Sequence, residues 1–110
     1  MTIAIEKRDN ASIVALFGEI DLEKAPSVRR ALLDCVLGGS DVIVDLKAVE
    51  YLDSSGIASL VEAYQAAKRG NLYFALAGIG ARPMRVLQLS RLDLVFTIHA
   101  GVEDALAARG

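Results

Sequence analysis

The sequence is poor in the residues that most readily build reactive sites. Its single cysteine, Cys35, rules out an intrachain disulfide and leaves no thiolate cluster for a metal. Placed beside Leu32 and Val36, it is expected as a small buried apolar side chain. Histidine occurs once, as His99, tryptophan is absent, and aromatic residues make up only 5% of the chain. Cations show no surplus, since 12 Lys and Arg stand against 14 Asp and Glu for a net charge of -2 at pH 7. Neutralising nucleic-acid phosphates requires such a surplus, so nucleic acid is not an expected partner, and attraction to anionic lipid is disfavoured. No apolar run approaches the ~20 residues that span a bilayer. The start, MTIAIEKRDN, lacks a basic region followed by a long apolar stretch, so no signal peptide is expected. The expectation is a cytoplasmic protein with no membrane insertion, no cofactor and no metal.

What the chain does have is apolar residues in regular patterns. Of its 110 residues, 54% are hydrophobic and 24% charged, which suits one domain, 1–110, with one core and excludes a disordered chain. Ile3 and Ile5 alternate with Thr2, Ala4 and Glu6 as in a half-exposed strand, and Asp9-Asn10 marks a hairpin turn into a buried strand over 13–17. Gly18-Glu19-Ile20-Asp21 follows as an expected turn. Pro26 sits early in a helix whose inner face is Ala25, Val28, Leu32, Cys35 and Val36, and Gly38-Gly39 ends it.

A second buried strand over 42–46 leads through a polar connection to a second helix. That helix is expected to bury Ile57, Leu60, Val61 and Tyr64 and to leave Ser59, Glu62 and Ala66 outside. Lys68 and Arg69 complement its C-terminal dipole, and Gly70 stops it. A strand over 72–77, a short helix opened by Pro83, a strand over 94–98 and a last helix carrying Ala105 and Leu106 complete the order ββαβαβαβα. This predicts an α/β domain with a mostly parallel sheet, an antiparallel edge strand and packed helices. Right-handed crossovers bring the strand-to-helix turns to one edge of such a sheet, where partners bind. Glu19 and Asp21 belong to that edge, as do Asp53, Ser54, Ser55 and Gly56.

Asp53 has the chemistry of an N-cap, a carboxylate able to accept from first-turn amides. Gly56 does not belong in a helix on propensity, where it costs about 1 kcal/mol relative to Ala. It is expected to permit close backbone approach by a strand, a neighbouring turn or a docking protein. A nucleophilic role for the serines needs a base, and His99 lies at the end of the last strand, with no Gly-x-Ser-x-Gly elbow around Ser54. Asp21, Asp45 and Asp53 have no adjoining cation to hold a transferring phosphate, and Gly78-Ile79-Gly80 runs into Ala81-Arg82-Pro83 rather than a nucleotide loop. The chain is therefore expected not to be an enzyme, while its serines remain substrates for one. On a helical wheel Ser55 points more directly away from the buried face than Ser54 does, so the residues alone leave the choice between them open.

The stretch DLKAVEYLDSSGIASLVEAY resembles the signature of the STAS domain of anti-sigma factor antagonists. Gly18-Glu19-Ile20-Asp21 is similar to the Gly-Glu-Leu-Asp turn of that family, and 85–93 resembles its third helix and the connection after it. Arg91 departs from the pattern, which often has Gly before the Leu. The resemblance implies phosphorylation of Ser54, with Ser55 as the second choice, by a serine kinase that is itself an anti-sigma factor. The unphosphorylated form would bind that kinase through Glu19, Asp21, Asp53, Ser54, Ser55 and Gly56, and a metal-dependent PP2C-type serine phosphatase would restore it. A second implication is a cytoplasmic STAS subunit of a phospholipid-transport ABC complex, which would use the same helix start.

Overall fold

A computed structural model describes residues 2–109; Met1 and Gly110, the ends of the expected domain, lie outside the described residues. The chain runs β1 (Ile3–Arg8), β2 (Ala11–Ile20), α1 (Ala25–Leu37), β3 (Asp41–Leu52), α2 (Ser54–Arg69), β4 (Phe74–Ala77), α3 (Ala81–Leu89), β5 (Thr97–His99) and α4 (Val102–Ala108). The described strands form one five-stranded sheet in sequence order, with β1 antiparallel to β2 and the remaining pairs parallel. The order and the antiparallel edge are those expected from the sequence. Asp9 and Asn10 make the β1–β2 turn at φ 51 and 66, the left-handed region that short polar side chains tolerate.

Alternation along the strands sorts the core into two faces. Val14, Leu16, Val42, Val44, Phe74 and Leu76 meet Val28 and Leu32 of α1, Leu60 of α2 and Leu87 of α3. On the other face Ile13, Ile43, Ala75 and Ala77 pack against Ala105 of α4. Arg109 ties the end of α4 to the start of β3 and the β1–β2 turn. Its Nε donates to Asp41 Oδ2 at 2.6 Å, and its terminal nitrogens donate to the carbonyls of Asp9 and Asn10 at 2.7 and 3.2 Å.

The strands differ from expectation where bulges intervene. β2 continues through Gly18, Glu19 and Ile20, which the sequence suggested as a turn, and β3 continues through the supposed polar connection to Leu52. Ala15 pairs Asp45 but Phe17 pairs Ala48, and Gly18 pairs Val49 but Glu19 pairs Tyr51, so β3 carries an extra residue at each step. Each insertion reverses the alternation. Leu46, Val49 and Leu52 are consequently all buried at spacings of three, a period that does not announce a strand.

Other differences come from packing between helices. Ser59 and Ala66, expected outside, are buried, while Val61 and Tyr64 are only partly buried against the core. Cys35 is half-buried rather than buried. β4 is shorter than 72–77, and β5 replaces the expected 94–98 because Leu92–Leu94 forms a 3₁₀ turn that leaves Leu94 and Val95 exposed. α3 begins at Ala81, with Pro83 buried in its first turn.

Arg91 occupies the left-handed region at φ 60, ψ 18 between α3 and that 3₁₀ turn. A side chain there crowds its own backbone, and glycine does not. Arg91→Gly is expected to stabilise the fold by about 0.5–1 kcal/mol, with the relief of native strain partly offset by glycine's larger unfolded-state entropy. Urea denaturation reads this as a higher midpoint at unchanged slope; a lower midpoint would show that the Arg91 side chain holds the turn.

Candidate functional site

β2 and β3 end side by side, with Ile20 paired to Leu52, so the turns that follow them meet at the C-terminal edge of the sheet. Asp53 caps α2. Its backbone is extended at φ -94, ψ -175, its Oδ1 accepts from Gly56 N at 3.0 Å, and its carbonyl accepts from Ile57 N at 2.9 Å. The Asp53 amide in turn donates to the Ile20 carbonyl at 3.3 Å. Gly56 is buried directly beneath that carbonyl. A Cβ at Gly56 would lie 2.8 Å from Ile20 O and 2.7 Å from Leu52 Cδ1. The close approach expected from the sequence is therefore made by the neighbouring strand end.

The second turn is organised by Asp21. Its Oδ1 accepts from the amides of Glu23 and Lys24 at 3.1 and 3.2 Å, and its carbonyl accepts from Lys24 and Ala25 at 3.1 and 2.8 Å. The side chain thus fixes the turn that leads into α1, whose own N-cap, Lys24, makes no side-chain cap bond. Ser59 joins the two helices. Its buried Oγ lies 3.1 Å from the Ala25 carbonyl of α1 and 3.1 Å from the Ser55 carbonyl one turn back. Sequence reasoning missed this residue, because only the arrival of α1 on that flank makes it an inner position.

The two serines differ in access. Ser54 is exposed, whereas Ser55 is half-buried beside a groove along α1 that also takes in Pro26, Arg29, Ala58 and Glu62. This reverses the wheel, which ignored α1. Arg29 is bonded to Glu62 across the groove. Around Ser54 the edge is acidic: Glu19, Glu23 and Glu50 are exposed, and Asp21 and Asp53 are half-exposed. Glu19 stands at the register position of Tyr51, itself exposed.

The remaining candidates lie elsewhere. Asp45 is buried on the α4 face, where its Oδ1 accepts from Lys47 N at 3.1 Å and its Oδ2 lies 3.7 Å from Lys47 Nζ. His99 Nε2 lies 3.2 Å from Tyr73 Oη, and its carbonyl accepts from Gly78 N at 3.0 Å. Burial pushes the Tyr73 phenol above its ordinary value, and its hydroxyl donates to the Ala105 carbonyl at 3.1 Å. Among the described residues no three of His, Cys, Asp and Glu converge as a metal-binding group, and no helix is long and apolar enough to cross a membrane.

A family model described as STAS domain matches residues 2–105. The chain is similar to the anti-sigma-B factor antagonist of Bacillus subtilis (strain 168), at 27% identity over 106 residues, 96% of this chain and 97% of that protein. Its similarity to the anti-sigma-B factor antagonist of Listeria monocytogenes serovar 1/2a is 31% over 100 residues, 89% of this chain and 88% of that protein. Among solved structures, the crystal structure of an anti-sigma factor antagonist from Mycobacterium paratuberculosis matches with a TM-score of 0.90 at 31% identity, covering 98% of this chain and 92% of that one.

Two substitutions test how the edge is held. Gly56→Ala gains about 1 kcal/mol in helix propensity but drives a methyl group into a backbone oxygen, a clash of roughly 1–3 kcal/mol, so a net loss is expected on denaturation. Unchanged or greater stability would show that the two turns are free to separate. Asp53→Ala is expected to cost about 1 kcal/mol through the lost cap.

Proposed function

The chain belongs to the STAS domain family, and we propose that within it this protein is an anti-sigma factor antagonist whose docking edge is switched off by phosphorylation of Ser54. The observation that carries the choice of residue is access: Ser54 stands exposed at the first position of α2, while Ser55 is half-buried beside α1. Glu19, Asp21, Asp53 and Ser55 complete the surface that meets the partner; Gly56, expected on that surface from the sequence, is buried beneath the Ile20 carbonyl and acts by letting the two turns approach. That partner is a serine kinase acting as the anti-sigma factor, and a PP2C-type phosphatase reverses the modification. In this scheme the protein is a substrate and a binding module rather than an enzyme.

The physics of the edge supports a switch that acts on the complex. Phosphate brings a charge of roughly -1.5 to -2 near pH 7. A helix N-terminus tolerates an anion, and the turn is held by the Asp53 carboxylate and by backbone contacts, none of which involves the Ser54 hydroxyl, so the fold survives modification. Within a complex the same group must be desolvated beside Asp53 and near Asp21. Each ~1.4 kcal/mol of that cost lowers affinity tenfold. Blockade is therefore steric and electrostatic, with strand and helix geometry unchanged.

The test is binding to the cognate kinase by wild type, Ser54→Ala and Ser54→Asp, with mass spectrometry after kinase treatment of Ser54→Ala and Ser55→Ala. Expected are retained binding by Ala, at least a tenfold loss with Asp, and no phosphate on Ser54→Ala. Equal binding by all three proteins removes the switch. Phosphate retained on Ser54→Ala but lost from Ser55→Ala moves the site to Ser55.

A further inference from the structure

The C-terminal edge of the sheet and the corner where α2 and α3 end differ in charge. At the C-terminal end Glu19, Asp21, Glu23, Glu50 and Asp53 outnumber Lys24, Lys47 and Arg82, and the exposed apolar residues among them are Leu22 and Tyr51. At the corner α2 finishes on Lys68 and Arg69, and the turn after α3 presents Arg91. Leu89 and Leu94 are 81% and 78% exposed there, and Val95 is 46% exposed. Tyr64 of α2 stacks edge-on with Phe96 at 5.4 Å between ring centroids, which places Lys68, one turn beyond Tyr64, at the same corner as Leu94 and Val95. Among the described residues Lys68, Arg69 and Arg91 form no ion pair, and Asp93 is the acidic residue of that corner.

We propose that this basic, apolar corner receives the acidic edge of a second copy of the chain, head to tail along the strand direction. The complement is already on the molecule, matched both in charge and in exposed apolar side chains. It cannot be met internally, because the length of α2 at 1.5 Å per residue, about 24 Å, separates the two surfaces. An anionic bilayer fits less well. Juxtamembrane clusters that hold such a surface carry roughly four to eight cations, and this corner has three on a chain of net charge -2. A contact between unlike patches does not close on itself, so it yields short open chains of the domain.

The contact is expected to be weak and salt-sensitive, since its charges are solvent-exposed and screened beyond about 8–10 Å at physiological ionic strength. It uses the edge assigned above to the regulatory partner, so self-association and partner docking exclude one another. The self-contact itself does not depend on that assignment, and its test needs this protein alone.

Sedimentation equilibrium of the full chain from roughly 10 µM to about 1 mM covers the affinities of a weak contact. The weight-average mass is expected to rise with concentration above the 11.7 kDa of one chain, without a plateau at two, and to fall back in high salt. Lys68→Glu with Arg69→Glu, and separately Glu19→Lys with Glu50→Lys, should each remain single chains with an unchanged circular dichroism spectrum. Mixed in equal amounts, the two variants should associate again, because each retains the end that the other has lost. A wild type that stays at one chain throughout overturns the proposal, as does association that survives in either variant. A mixture that fails to associate when both variants are folded overturns it too.

Discussion

Everything at the functional edge depends on one backbone-to-backbone approach, that of Gly56 beneath the carbonyl of Ile20. The carbonyl also receives the Asp53 amide, so a single oxygen at the end of β2 positions the start of α2. Asp53 and Asp21 then fix their own turns with their carboxylates, and Ser59 ties the first turn of α2 to the first turn of α1. None of these bonds uses the Ser54 side chain. The hydroxyl is presented by a frame that does not need it, which is the property a modifiable position requires.

The sheet explains why this frame is stiff. Three helices cover one face, and α4 covers the other around Ile13 and Ile43, so β2 and β3 are sandwiched in their first halves. The two extra residues in β3 let its far end keep turning apolar side chains inward as it leaves the regular ladder. Leu52 therefore arrives buried, one residue before the cap, and the strand is anchored up to the point where the helix begins. A core extending that close to a surface turn leaves it little freedom to rearrange.

Much of this was legible in the sequence, and the remainder was hidden for identifiable reasons. Local patterns carried the element order, the antiparallel edge, the Asp53 cap and the need for close approach at Gly56, because each depends on spacing or on one residue's intrinsic chemistry. β3 beyond Leu46 was not legible, since bulges convert a period of two into spacings of three. Ser59 and Ala66 were misplaced because a helical wheel knows the core direction but not the neighbouring helix. The same omission made Ser55 look more open than Ser54. Leu94 and Val95, apolar enough to suggest a strand, are held outside by the 3₁₀ turn that precedes β5. The partnership of Asp21 with α1 needed the actual path of the loop.

The clamp made by Arg109 also has a bearing on synthesis. Its bond to Asp9 spans 100 residues of sequence, and the bond to Asn10 spans 99. The hairpin that it braces is translated well before Arg109, which is added only after β2 to α4 have been made. Contacts of such separation carry the largest loop-closure entropy and form late. While translation continues, the left-handed Asp9-Asn10 turn must hold by its own backbone preferences. The order of manufacture thus places the burden of early folding on the residues least able to draw help from the rest of the chain.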